Sequence, residues 1–308
     1  MSIRHTKLPW FYEEIKMSKC LKVNLNIMIK QKTFMFAFFI MLVICTCLPF
    51  VYFMMYRGCF EYQMPAAYSV FVGNEMGLAW KYIQLIMPFL IIFPYSMSFY
   101  NDYVSGANIY YQTRSGRRNY YMCQMLTCFV GGMIIIAVPF LVNIVLNSII
   151  FPVHGNDYIT TQNKYSVMWS ESITGKNQIF RTLLKGITLK KLYIDFPQLF
   201  NIVITIFAGI TAGIMSVTAY TFSIVIRKNR MFIFLFSYIF FQFFAMINSV
   251  LYSSWSEKNI YICTSITSYM SYIPGQQGKV YIAFALFLLL LLLLDIKLIL
   301  RKISKDEL

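Results

Sequence analysis

Between Tyr100 and Tyr121 the chain reads YNDYVSGANIYYQTRSGRRNYY, and its chemically distinctive residues gather there. Asp102 is followed four positions on by Gly106, and Arg114, Arg117 and Arg118 follow an aromatic and polar stretch. An acid in that place accepts backbone hydrogen bonds or pairs with a base, while arginines present forked donors to carboxylates on a partner. Arginines also anchor to lipid headgroups, and Ser105-Gly106 has the form of a helix stop. This is the chemistry of recognition rather than of bond breaking. Elsewhere the inventory is thin: only His5 and His154 are histidines, which argues against a histidine-built metal site. Of seven cysteines, Cys45, Cys47, Cys123 and Cys128 fall in apolar runs, Cys20 precedes them, and Cys59 and Cys263 fall between them, so no disulfide framework is expected. Gly275-Gln276-Gln277-Gly278-Lys279 lacks both the spacing and the following Ser or Thr of a phosphate loop. The apolar runs hold no polar catalytic cluster at one depth, and no nucleotide site is found.

The elements that must hold this polar segment are membrane helices. Hydrophobic residues make up 58% of 308 and charged residues 13%, with a mean hydropathy of +0.60, far from the roughly 25% charge of soluble domains. A hydrocarbon core of about 30 Å needs around 20 apolar residues in a helix. Six stretches approach that length: Phe34 to Tyr56, Leu78 to Tyr100, Tyr121 to Phe151, Leu199 to Ile226, Met231 to Val250 and Val280 to Leu300. Their continuous apolarity excludes the alternating strands of a barrel. The expected fold class is therefore all-α, a polytopic membrane protein with six transmembrane helices. It is organised as one domain over 1–308: an interfacial segment 1–33, a bundle 34–300 and a tail 301–308.

Basic residues mark the cytoplasmic side of short loops. With the amino terminus inside, seventeen Lys and Arg lie inside and nine outside, six of these in the single long loop 152–198. Both termini are thus expected in the cytoplasm. The net charge of +15 then reflects topology, and no basic face interleaved with aromatics argues for nucleic acid. Lys305-Asp306-Glu307-Leu308 matches a lumenal retention signal but is expected on the cytosolic side, where no such receptor reads it. The first apolar run lies too far in, and is too long, for a cleaved signal peptide.

Trp10 to Lys30 places Phe11, Ile15, Leu21, Leu25, Met28 and Ile29 on one arc and predicts an amphipathic helix flat on the inner leaflet, with Lys22 snorkelling from the apolar side. Pro88 and Pro94 predict kinks in the second span. Gly209 and Gly213, with Ala208, Ala212 and Ser216 one residue over, predict a close helix crossing in the fourth. Phe236, Phe240, Phe243 and Phe244 form a stripe in the fifth, read as lipid contact and core packing. Alternation of Ile179, Leu183 and Ile187 with Arg181 and Lys185 predicts a basic amphipathic helix in the long loop, and aromatics among polar residues in 251–279 fit an interfacial segment. Lys81 and Asp295 are charges near span ends, expected to snorkel to headgroups.

Asp102, Gly106 and the run Arg114-Ser115-Gly116-Arg117-Arg118 leading into the third span resemble the acid-x-x-x-Gly and Ser-x-Arg signature of ATP-binding-cassette type-2 exporter permeases. Six spans, cytosolic termini and an in-plane amino-terminal helix agree with that family. The chain differs from its pattern in having aspartate where glutamate is commoner, no proline before the Ser-x-Arg step, and a long third-to-fourth loop. The resemblance implies that the segment includes a cytoplasmic coupling helix, docking in a cleft of an ATPase subunit through Asp102, Gly106, Arg114, Arg117 and Arg118. It implies that ATP and Mg are bound by that partner and not by this chain, which is then no enzyme. A second permease, identical or similar, and membrane lipids are further implied partners. The expected setting is a bacterial plasma membrane, and abundant Lys, Ile, Asn, Tyr and Phe with few Ala fit an AT-rich bacterial genome. The cargo would be hydrophobic or amphipathic: a lantibiotic or other peptide, a drug or a lipid. A receptor or immunity scaffold that docks a cytosolic ATPase without transporting is the alternative.

Overall fold

The computed structural model describes residues 9–60, 63–73, 78–93, 95–153, 192, 196–226, 229–255 and 278–305. These residues form nine helices: α1 (Pro9–Lys30), α2 (Lys32–Met55), α3 (Leu78–Ile92), α4 (Ser98–Val104), α5 (Ala107–Ser115), α6 (Arg117–Ile150), α7 (Pro197–Val225), α8 (Arg230–Trp255) and α9 (Gly278–Lys305). The class is all-helical, as composition predicts. Three helices, α2, α6 and α7, are long and apolar enough to cross a membrane, and Arg230–Phe243 adds a shorter apolar stretch. Three candidate spans point to a multi-pass membrane protein. The second predicted stretch is divided: α3 ends at Ile92, a turn follows, and α4 starts at Ser98. Fifteen residues rise only about 22 Å, less than a hydrocarbon core. Pro94, two positions beyond Ile92, disfavours helix at the residue before it; it lies outside the described residues, as do the long loop 154–191 and the aromatic segment 256–277.

The centre of the bundle is α7, the most enclosed candidate span, and its main partner is α6. Small residues explain why. A Cβ built on Gly132 of α6 would stand 2.7 Å from the Ala212 carbonyl oxygen, and one on Gly213 of α7 would stand 2.7 Å from the Phe129 ring. On Gly209 it would meet Ala137 and Met133 at 3.0 and 3.2 Å. The backbones therefore approach closely, as the small-x-x-x-small pattern predicts. Its partner is a helix of the same chain.

Against this pair pack α2, α3, α8 and α9, while α1 lies along α6 and α2. The inward face of α1 is Met17, Cys20, Leu21, Asn24, Leu25 and Met28, a regular helical stripe. That corrects the predicted arc: Ile29 is exposed, and Lys22 is exposed rather than snorkelling from an apolar face. Phe11 and Ile15 have side chains outside the described set. In α8 the buried face is Ile233, Ser237 and Phe241. Phe236 and Phe243 face outward, Phe236 and Phe240 meet Phe222 of α7 edge to face, and the side chain of Phe244 is outside the described set. The stripe thus divides between outer surface and packing.

Cys20, Cys45, Cys47, Cys59, Cys123 and Cys128 are free thiols, and Cys263 lies outside the described residues. Asp295 departs from expectation: it is 3% exposed and accepts a hydrogen bond from Thr218 at 2.9 Å, so it turns into the bundle instead of reaching for headgroups. Lys81 lies in α3, with its side chain outside the described set.

Candidate functional site

The polar segment folds as a helical elbow between α3 and α6. Its first half, α4, ends where Ser105 turns its hydroxyl back onto the Asn101 and Asp102 carbonyls at 2.9 and 3.2 Å. Gly106 then takes φ +72°, a left-handed conformation natural to glycine, and opens α5. A second glycine, Gly116, with φ +84° and ψ 141°, separates α5 from α6. Nothing lies within 4 Å of a Cβ at either position, so the requirement for glycine is purely backbone. Gly116→Ala should therefore cost about 1 to 3 kcal/mol, and Gly106→Ala about 1 kcal/mol. Thermal denaturation of the purified chain checks both, with Gly116→Ala the larger loss.

Asp102 fastens this elbow to the bundle. Its Oδ2 accepts hydrogen bonds from the Tyr120 hydroxyl at 2.7 Å and from Gln124 Nε2 at 2.8 Å, both on the first turns of α6. The expected partner was a base or backbone amides; the observed donors are a phenol and an amide. Gln124 is itself held, because the Tyr220 hydroxyl of α7 donates to its Oε1 at 3.0 Å and so turns the amide nitrogen toward Asp102. Gln124 and Tyr220 are almost wholly buried. On the opposite face of α7, two residues earlier, Thr218 reaches Asp295 of α9. Hydrogen-bonded side chains thus connect α4, α6 and α7, and a second bond on α7 reaches α9. The polar side chains that make these bonds come from four separate elements, which is why no single stretch of sequence displays them together.

Aromatic packing supports the same joint. Tyr120 stacks on Tyr111 of α5 with 6.4 Å between ring centroids, and Tyr121 packs against Phe99 of α4 at 5.6 Å. The Tyr121 hydroxyl also receives a bond from Gln112 at 3.4 Å. Moving α5 therefore moves the root of α6.

The other face of α5 is uncovered. Ile109 is 68% exposed and Tyr110 57%. Arg114 donates to the Tyr110 hydroxyl at 2.8 Å, its guanidinium 5.4 Å from that ring's centroid. Arg117 and Arg118 are exposed on the first turn of α6. The elbow therefore presents a mixed aromatic and basic surface, while Asp102 faces inward, away from that surface. Gln124 and Tyr220 are marked in the sequence only as polar residues inside apolar runs, and Tyr120 only as a tyrosine at the end of the polar segment.

Burial drives the Asp102 carboxyl above the usual carboxylate range, opposed by the bonds from Tyr120 and Gln124. A raised carboxyl binds its proton more readily in the folded chain, so its contribution is fully present below the ordinary value of about 4 and is lost as pH rises through the raised one. Mild acidification in that window should stabilise the natural chain relative to Asp102→Asn, and thermal denaturation of both across the window checks the sign. Among the described residues no group of His, Cys, Asp or Glu is arranged to hold a metal ion.

No protein-family model, no curated protein and no solved structure matches this chain.

Proposed function

We propose that this chain is the permease subunit of an ATP-binding-cassette exporter, with the elbow as the handle on which a separate ATPase subunit acts. One observation carries the reading: α5, between two positive-φ glycines, presents aromatic and basic side chains outward and packs inward through Tyr111 and Gln112, while α4 just before it is bonded through Asp102 to the root of the central helix pair. Docking needs the outward face, and transmission of force needs the inward bond. The resemblance of Asp102, Gly106 and Ser115-Gly116-Arg117 to the family signature supports the same reading.

On this reading the bundle has six spans, α3 continued to Tyr100, α8 and α9 completing the three long helices, and both termini lie in the cytoplasm. Arg114, Arg117 and Arg118 offer guanidinium donors to carboxylates lining the ATPase cleft. Gly106 sets the angle at which α5 enters it. Closure of two ATPase subunits on ATP and Mg pushes α5, and Asp102, Gln124 and Tyr220 pass the displacement to α6 and α7. A hydrophobic or amphipathic cargo then leaves along the bundle interior, between this chain and a second permease.

The test is purification of the tagged full chain from its native membrane. The natural chain should bring with it an ATP-hydrolysing subunit, and Arg117→Glu with Arg118→Glu should lose both the subunit and the hydrolysis while the chain still reaches the membrane. A chain that purifies with no ATPase contradicts the proposal. ATP-dependent cargo accumulation in sealed vesicles separates export from a scaffold that docks the ATPase without transporting.

A further inference from the structure

Residues 63–73, between α2 and α3, run deep against the bundle end opposite the elbow without forming an α-helix. Phe71 packs edge to face on Phe140 of α6, with 5.6 Å between ring centroids. Phe140 stands ten residues before the end of α6 at Ile150, about 15 Å along the axis. Ala66, Ala67, Val70, Phe71 and Val72 are each at most 6% exposed. Irregular backbone at such depth is tolerated only where protein or trapped water satisfies its polar groups.

Asparagines meet that requirement. Asn143 of α6 accepts the Val72 amide on Oδ1 at 3.1 Å, and Asn201 of α7 donates to the Tyr68 carbonyl at 3.0 Å. The Pro152 carbonyl accepts the Ala67 amide at 3.0 Å. Asn143 also donates to the Cys45 carbonyl of α2 at 2.8 Å. That carbonyl lies four residues before Pro49, which has no amide hydrogen to offer it, so one side chain joins the segment to the gap that Pro49 leaves in the hydrogen bonding of α2. Asn147 donates to Asn143 at 3.0 Å, and its own buried Oδ1 has no hydrogen-bond partner.

We infer that residues 63–73 are a re-entrant strap closing the bundle end opposite the elbow, latched by Asn143 and Asn201. Its bonds to Asn143, Asn201 and Pro152 come from side chains or loop backbone, so the strap can be released without breaking a helix. The inference needs only that α2, α6 and α7 cross the membrane, and it stands or falls independently of any ATPase.

The experiment uses single cysteines in a cysteine-free full-length chain, reconstituted in sealed vesicles and exposed to a membrane-impermeant maleimide. Gln63→Cys should label rapidly from one face only. Val70→Cys should be nearly inert, and adding Asn143→Leu should speed its labelling about tenfold from that same face. Ser216→Cys in the core should stay inert in both backgrounds, reporting an intact bundle. Should Asn143→Leu expose Ser216→Cys as well, Asn201→Ala, which removes one bond to the strap, is the variant to read. Labelling of Val70→Cys as fast as Gln63→Cys with both asparagines present overturns the strap. An unchanged Val70→Cys rate in Asn143→Leu and Asn201→Ala overturns the latch.

Discussion

Asp102→Ala will loosen the elbow on the bundle while leaving the bundle assembled. The substitution removes an acceptor of two side-chain hydrogen bonds and leaves the Tyr120 hydroxyl and the Gln124 amide facing an empty site. Losing bonds to a carboxylate and stranding buried donors costs about 2 to 3 kcal/mol. A local opening equilibrium then shifts by roughly thirtyfold or more, and amide hydrogen exchange along α5 should accelerate by that factor. Tryptic cleavage after Arg114, Arg117 and Arg118 should rise in parallel. Asp102→Asn keeps an acceptor and should show a smaller change. Asp295→Asn alters the other buried acid, which bonds Thr218 on the far side of α7, and should leave exchange in α5 untouched. Equal effects from Asp102→Ala and Asp295→Asn would mean that the elbow has no local fastening.

The second large effect belongs to the crossing of α6 and α7. Gly132→Leu should prevent stable assembly. Even a methyl group there meets the Ala212 carbonyl oxygen at 2.7 Å and the Ser216 Cβ at 2.8 Å, and carbonyl backbone has no rotamer by which to move aside. Overpacking a tight contact costs about 1 to 3 kcal/mol, and a leucine, carrying three more carbons into the same space, must separate the helices. The bonds that span this pair, Tyr220 to Gln124 above all, are lost with it. Detergent-solubilised yield and melting temperature read the effect, with Gly132→Ala intermediate. Gly58→Ala is the control, because a Cβ there meets nothing within 4 Å and the cost is confined to backbone at φ +89°. A Gly132→Leu chain as stable as the natural one would contradict the close crossing.

The long helices were legible in sequence because continuous apolarity over 20 or more residues has few other physical meanings. The close crossing at Gly209 and Gly213 was legible as well, since small residues four apart leave a groove whatever fills it. Their partner was not: the Gly131-Gly132 pair marks α6, but nothing in the sequence says that this pair, rather than another helix, faces them. The elbow's first bend could be read from Ser105-Gly106, where glycine follows a capping residue; the second, at Gly116, was not read. What Asp102 binds could not, because Tyr120 and Gln124 stand 18 and 22 residues away and only the fold of α4 against α6 brings them within 3 Å. Asp295 misled for a related reason. Its position near a helix end fits snorkelling, but whether the side chain faces lipid or Thr218 depends on the rotation of α9 about its axis, which an unbroken run of leucines leaves unmarked. Asn143, Asn147 and Asn201 were visible as polar residues in apolar helices, yet their purpose depends on a segment outside those helices.

The measurement closest to the central claim is the sidedness and protection of α5. Tyr110→Cys, placed in a cysteine-free chain, should resist a membrane-impermeant maleimide in intact cells and react once the membrane is permeabilised. In the purified complex it should be shielded by the ATPase subunit, with labelling restored when that subunit is stripped away. Rapid labelling in intact cells, or labelling indifferent to the presence of the subunit, would contradict the elbow as the docking point.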